Sequence, residues 1–398
     1  VTRTRRPLTR TELAPLARAA LGPGRTLTGV ERLRGGTKKG VYRLTLDDDS
    51  TAVAYVWSAD EDYWDQPDPD PRDVFSHGTG RGGVRKVPPA PRRPARTLAA
   101  PAEHPRTTST RASARHSPSL RPGVPPEHAP DAAGPASGRT TGLYGHPLRL
   151  FTAAHDRLAA AGVRTPRLMY ADATHTHLPA DAAVVEDMTG GSLEDALARD
   201  PREAPRLMDR MADLLATLHS HTGPRFGKAA VVDDGGSSHG VSCEQRITDG
   251  ALRCIAEAAR RELRAAAVRR ELEDTIHALT AAVRPRDRHT LIHAELGPDH
   301  VLLTSDGQPA LIDVEGLMYF DVEHEHVFLE LRFGPHYDAL RAPGLDEARM
   351  RLYRLSMHLG LVSGPLTLIE GDFPHPERMR EIAEHNLQQA LSLLKNAV

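Results

Sequence analysis

The chain has 398 residues with 39% apolar side chains, enough for two or three domains built on ordinary hydrophobic cores, so a disulfide-stapled mini-protein is excluded. Its 51 basic and 53 acidic side chains give a formal net charge of -2, which offers no whole-molecule attraction to polyanions and argues against a dedicated nucleic-acid partner. No run approaches the roughly 18 apolar residues of a membrane span, and the basic opening VTRTRR leads into no apolar leader segment. The only cysteines, Cys243 and Cys254, would stand about 16 Å apart along a helix, beyond disulfide reach, and fit a reduced, cytoplasmic setting.

In chain order, Thr11 reads as the cap of a helix with Leu13 and Leu16 on one side and a stop at Gly22-Pro23-Gly24. Strands are expected over 27–33, 41–46 and 52–57; in the second, Tyr42, Leu44 and Leu46 alternate with Val41, Arg43 and Thr45. Residues 81–140 hold 12 of the 32 prolines and 11 Lys or Arg against three acidic residues, with no Phe, Tyr or Trp. Such a stretch buries too little apolar surface to offset its ordering entropy, so 77–145 reads as a disordered insertion, either a spacer or a basic arm. Beyond it, a helix over 148–161 closed by Gly162 and the strands RLMYAD and AAVVEDM complete a small lobe. Helical texture then takes over. Leu207, Met211, Leu214 and Leu218 line one face over 205–219, and the Ala, Arg and Glu-rich stretch 248–282 forms one or two further helices. Two short strands, 300–304 and 309–313, flank a Ser-Asp-Gly turn. Leu345, Ala348, Leu352, Leu355 and Leu359 then mark another helix, and a last one starts at Pro376.

The chemistry concentrates in His293, Glu295, Asp299, His300, Asp313 and Glu315. A hairpin brings its ends together, so His300 before its first strand and Asp313 after its second should meet, with Glu295 on the adjoining loop. Such a set can hold a hard cation on nucleotide phosphates while a second carboxylate orients an incoming hydroxyl. The alternative is that Asp313 and His300 only tie the loops. His324 and His326 stand two residues apart, not the four of a zinc-binding HExxH helix.

HAELGPDHVLL followed by LIDVEG resembles the catalytic and metal loops of the aminoglycoside phosphotransferase and choline kinase-like family, whose usual pattern is HGDxxxxN and then IDFE or IDWE. By position, the resemblance makes His293 the structural histidine of the catalytic loop. Glu295 stands for the catalytic aspartate, His300 for the metal-binding asparagine and Asp313 for the principal metal-binding aspartate. Asp321 and Glu325 in FDVEHEH fall at structural positions, and VVEDMTGG resembles the inter-lobe hinge, with Glu186, Asp187 and Met188 along the adenine edge. The family's third-strand lysine and its helix glutamate have no counterpart in AVAYVW and LRLFTAAHDRLAAAG. RGGTKKG occupies the nucleotide-covering loop instead. Gly35, Gly36 and Gly40 could bend the backbone to expose amides, and Lys38 and Lys39 could replace the missing lysine electrostatically.

The resemblance implies an α+β, bilobal protein-kinase-like fold. Residues 1–76 and 146–189 would form the small antiparallel-sheet lobe and hinge, 77–145 the disordered insertion, and 190–398 the larger helical lobe. The implied activity is ATP-dependent transfer of the γ-phosphate, with Mg²⁺ or Mn²⁺, to a hydroxyl of an aminoglycoside-like amino sugar or related small amine. The altered loop leaves a second reading, a kinase-like protein that binds nucleotide without efficient transfer. The expected partner is a small-molecule substrate, with no membrane and no nucleic acid, the chain being a monomer or homodimer.

Overall fold

A computed structural model describes residues 6–33, 38–64, 147–371 and 373–396. Gly35, Gly36 and the insertion expected over 77–145 lie outside them.

Helix α1 (Arg10–Leu21) starts two residues earlier than the sequence suggested, because Thr9, not Thr11, is its cap. The Thr9 hydroxyl accepts from the Glu12 N–H while the Glu12 carboxylate accepts from the Thr9 N–H, a reciprocal box that a Thr11 cap would forfeit. Strands β1 (Leu27–Arg32), β2 (Gly40–Leu46) and β3 (Thr51–Trp57) form an antiparallel meander. Helix α2 (Pro147–Ala160) and strands β4 (Leu168–Asp172) and β5 (Asp181–Glu186) complete a five-stranded sheet of order β1-β2-β3-β5-β4. The alternation along the strands decides which helix each face meets. Tyr42, Leu44, Ala54, Val56 and Val184 pack with Leu13 and Leu16 of α1, whereas Val53, Tyr55, Trp57 and Val185 pack with Phe151 and Leu158 of α2. Tyr55 meets Phe151 edge to face at 5.5 Å, so aromatic packing stands where a strand-to-helix ion pair was lacking.

The chain leaves the sheet through residues 187–192. Gly190 is required there: a Cβ would lie 2.3 Å from the Leu303 carbonyl oxygen. Helices α3 (Leu193–Arg199) and α4 (Ala204–His219) follow, α4 burying the expected apolar face. Short strands β6 (Thr222–Gly223) and β7 (Gly227–Lys228) precede α5 (Ala229–Asp233). Where one or two helices were expected, three occur: α6 (Cys243–Arg261), α7 (Leu263–Ala267) and α8 (Arg269–Ala281). Ser242 starts α6 earlier by capping the Gln245 N–H, and Glu262 leaves helical geometry to cap α7, which breaks an otherwise uniform Ala-Arg-Glu texture.

Strand β8 (His289–Ile292) joins β6, β11 (Met318–Phe320) and β7 in a second sheet, while β9 (Val301–Leu303) and β10 (Pro309–Leu311) form the expected hairpin. Helices α9 (Val322–Phe333), α10 (Glu347–Glu370) and α11 (Pro376–Asn396) close the chain; Asp346 caps α10, leaving Leu345 just outside it. A second core forms where Ile247, Ile276, Tyr353, Leu359 and Ala390 of α6, α8, α10 and α11 meet Ile292 and Phe320 of the small sheet. Both free cysteines are buried. Among the described residues no helix is long and apolar enough to cross a membrane.

Candidate active site

The loop after β8 is pinned from below before any reactive group appears. The His293 N–H donates to Glu325 Oε2 at 2.6 Å, and His293 Nε2 donates to the Ile312 carbonyl at 2.9 Å, fastening the loop both to α9 and to the end of β10. Both residues are fully buried, which suits a supporting role. Burial opposes the Glu325 charge, but His219 and His293 outweigh it and hold the carboxyl below its usual range. Ala294 takes a left-handed φ of 80° at the position where the family pattern carries glycine, and Asp313 takes one of 60°.

The hairpin does what its geometry requires. His300, buried at the end of a short 3₁₀ turn over 298–300, places Nδ1 2.7 Å from the Glu295 carbonyl and Nε2 3.7 Å from Asp313 Oδ2. A carbonyl only accepts, so Nδ1 carries a proton and donates it there, which leaves Nε2 facing Asp313. Asp299 is anchored by Arg332 through Oδ1, while its Oδ2 lies 3.9 Å from His300 Nε2.

The residue that closes the cluster comes from the opposite lobe. Lys39, next to the first residue of β2, is 6% exposed and extends its ammonium to 2.8 Å from Asp313 Oδ1, with Glu315 as its second carboxylate partner. That ammonium lies over the aromatic stack, with Nζ 5.0 Å from the Tyr55 ring centre and 5.8 Å from that of Trp57. Burial opposes the ammonium, yet the two carboxylates dominate and hold its pKa above the ordinary lysine value. Burial likewise favours protonated Asp313, but Lys39 and then His300 outweigh it and hold that carboxyl well below the usual range. Asp313 keeps 37% of its side-chain surface, so the cluster opens to solvent on its side.

Glu295 behaves oppositely. Burial, reinforced by the Asp313 charge, pushes its carboxyl up to about 7, against the opposing pull of Lys228 and His300. Lys228, in β7, donates to the Glu315 carbonyl at 3.1 Å. Sequence reasoning did not single it out, because FGKAA matches no motif; only the pairing of β7 with β11 brings it here.

The remaining expected residues are arranged less simply. Lys38 is partly exposed, and its charge reaches Glu295. Gly40 opens β2 with no left-handed bend; it is glycine because a Cβ would strike the Glu61 carboxylate, which is held by Arg32 and Tyr42. Glu186 and Met188 lie at the connection between lobes and not in the charged cluster: the Glu186 carboxylate is taken by Arg164 and the Arg167 N–H, and Met188 is buried. Asp187 is anchored by Arg43 at 2.7 Å.

A model of the phosphotransferase enzyme family matches residues 145–353, just over half of the chain and the whole of this loop system. The chain belongs to that family. No curated protein sequence matches this phosphotransferase significantly. Among solved structures it is similar to aminoglycoside phosphotransferase APH(4)-Ia, with 13% identity, a TM-score of 0.55 and coverage of 98% of this chain and all of the other. A spectinomycin phosphotransferase, APH(9)-Ia, solved with ADP and spectinomycin, aligns at 10% identity and a TM-score of 0.51 over 98% of this chain and 99% of its own. A kanamycin and GDP complex of an APH(2") enzyme aligns at 14% and 0.51, over 96% and 97%. The fold is accordingly the bilobal protein-kinase-like one, with the five-stranded sheet as small lobe and the helical region as large lobe, and the enzyme is a phosphotransferase.

Proposed function

We propose that this phosphotransferase uses ATP, with a divalent cation, to phosphorylate a hydroxyl of an amino sugar or a related small hydroxylated amine. The observation that carries the reading is the convergence of Lys39, Asp313, His300 and Glu295 from two lobes onto one solvent-open cluster. The solved relatives with bound ADP or GDP together with spectinomycin or kanamycin support the two substrate classes.

Each role follows from chemistry already present. Lys39 is a buried cation at the junction of the lobes, able to exchange its carboxylates for phosphate oxygens and so do the work of the absent third-strand lysine. Lys38, Gly40 and the neighbouring Gly35 and Gly36 belong to the covering loop, and Glu186 and Met188 to the adenine edge. Asp313 Oδ2 and His300 Nε2 are a fitting donor pair for a divalent ion, and an imidazole in the pair favours Mn²⁺ over Mg²⁺. When bound, the ion supplies charge neutralisation for phosphate oxygens. Glu295 accepts the proton of the substrate hydroxyl, and a carboxyl poised at about 7 matches that task near neutral pH. His293 and Glu325 position the loop without touching substrate.

The test combines calorimetric titration with ATP and Mn²⁺ or Mg²⁺ and a phosphotransfer assay over amino sugars and amino alcohols. Nucleotide binding with turnover of at least one amine-bearing acceptor is expected. Nucleotide binding with no turnover over the whole panel, and none above the Glu295→Gln background, would instead assign the chain to the binding-only reading.

A further inference from the structure

Behind the catalytic loop, at the far end of the same strand, three groups meet that the phosphoryl-transfer chemistry does not use. Cys243 is the first residue of α6, His289 the first of β8, and Asp321 directly follows β11. Antiparallel pairing of Phe320 with Thr290 makes His289 and Asp321 the next facing pair, and the start of α6 lowers Cys243 onto them. Cys243 Sγ lies 3.4 Å from His289 Nδ1, which lies 4.0 Å from Asp321 Oδ1, and the three donor atoms are all within 4.8 Å of one another. All three residues are buried, at 1%, 5% and 1% exposure.

The arrangement is not a nucleophilic triad. A histidine in a triad uses one ring nitrogen for the nucleophile and the other for the acid, whereas here Nδ1 faces both neighbours, and the thiol has no access to solvent. What distinguishes the cluster is Asp321. Its Oδ2 takes Arg349 at 2.5 Å and the Tyr353 hydroxyl, while its Oδ1, aimed at His289 and Cys243, has no hydrogen-bond partner and only the Arg286 guanidinium at 3.7 Å, beyond hydrogen-bond reach. An orphaned carboxylate oxygen in the interior is costly, and a cation is the group that would satisfy it.

We propose that Cys243, His289 and Asp321 bind a zinc-class transition-metal ion. A sulfur, an imidazole nitrogen and a carboxylate oxygen form a donor set of intermediate softness, suited to zinc and poorly suited to magnesium or calcium. The spacing agrees: donor atoms around tetrahedral zinc stand about 3.5 Å apart, and a small rotation of the Asp321 carboxylate closes the set, leaving the fourth position for a water. The charge agrees as well. Asp321, Glu244, Glu323 and Asp346 face Arg349 and Arg286 and leave two net negative charges, with the buried thiol protonated. Binding a divalent ion forms the metal–sulfur bond and releases the thiol proton to solvent, which halves that excess. The ion would tie α6, β8 and the entry to α9 together, bracing the strand that carries His293 and Glu295.

Cobalt(II), a zinc surrogate with a thiolate charge-transfer band in the near ultraviolet, gives the test. The full-length protein, stripped with chelator, is titrated with cobalt(II) and separately with zinc while its melting temperature is followed. One equivalent of cobalt with the thiolate band is expected, together with a rise of several degrees in melting temperature on adding zinc. Both responses should persist in Cys254→Ala and in Asp313→Asn, which separates this site from the other buried thiol and from the phosphate cluster, and both should vanish in Cys243→Ala. Absence of the band in the wild-type protein overturns the proposal without recourse to any variant. A band that survives in Cys243→Ala, or in His289→Asn should the first variant fail to fold, overturns it too.

Discussion

Lys39→Met removes the ammonium while leaving a stem of similar length on the Tyr55 and Trp57 rings, so its effects isolate the charge. Breaking a fully buried ion pair costs about 3–5 kcal/mol, because the partner charge is left uncompensated. Here two carboxylates are stranded, but Asp313 keeps 37% of its side-chain surface and Glu315 19%, so water recovers part of the loss and about 2 kcal/mol is the expected destabilisation. The pH dependence has a definite sign. The Asp313 carboxyl is depressed in the folded protein, so its stabilising contribution is present above the unfolded carboxylate value near ~4 and is lost as pH falls through the folded value. The Lys39 ammonium is held above its ordinary value, so at the alkaline end the contribution outlasts pH ~10. In metal-free urea titrations, the gap between wild type and variant should therefore be flat from about pH 5 to 10 and narrow progressively as pH falls below about 4. Ligand binding should split in opposite directions. Mn²⁺ alone must displace the ammonium from Asp313 in the wild type and not in the variant, so its affinity should rise about tenfold, while affinity for a non-hydrolysable ATP analogue should fall about 10- to 100-fold. Equal stability of the two proteins, or metal and nucleotide affinities moving together, would refute the account of Lys39 as a stand-in cation.

Glu295→Gln should lower turnover by at least about 10²-fold with nucleotide affinity unchanged. In metal-free buffer it should also stabilise the fold: a carboxyl raised to about 7 penalises folding progressively as pH climbs from 4.5 through 7, and removing it recovers about 1–3 kcal/mol above pH 7 by urea denaturation, with no gain at pH 4. His300→Asn should shift the ratio of Mn²⁺- to Mg²⁺-supported binding toward Mg²⁺ by about tenfold in calorimetry, since an amide oxygen replaces the imidazole nitrogen facing Asp313; an unchanged ratio would remove His300 from the metal site. Gly190→Ala must push the inter-lobe connection off the Leu303 carbonyl, with an expected loss of about 1–3 kcal/mol in thermal unfolding; a neutral result would mean the connection is free to move away from β9.

The legible parts of the sequence were those governed by short-range rules. Strand alternation in 41–46 put Tyr42, Leu44 and Leu46 on one face, the one that packs with α1, and the Ser-Asp-Gly turn marked the hairpin that brings His300 to Asp313. The first cap was missed by two residues, at Thr9 and not Thr11, and the start of α6 by five, because the winner depends on which hydroxyl finds a partner three residues on. Lys228 and Glu61 could not be found at all. Their importance arises from contacts across sheets and lobes, with Glu315 and with Arg32 and Tyr42, that no local pattern encodes.

Lys39 lies between these cases, and it explains why the departures from the family pattern are mutually consistent. Losing a strand lysine without its helix glutamate would bury an unpaired charge; here both are absent, and Tyr55, Trp57 and Phe151 fill the space with aromatic contacts at 5.5–6.1 Å. That stack then provides the face over which a cation entering from β2 can lie, and the depressed Asp313 provides its counter-charge. The same wall therefore argues against simple reversion. Placing a lysine at Val53 or Tyr55 without also giving α2 a carboxylate would drive an ammonium into Phe151 and Leu158, and should destabilise the small lobe more than it restores phosphate binding.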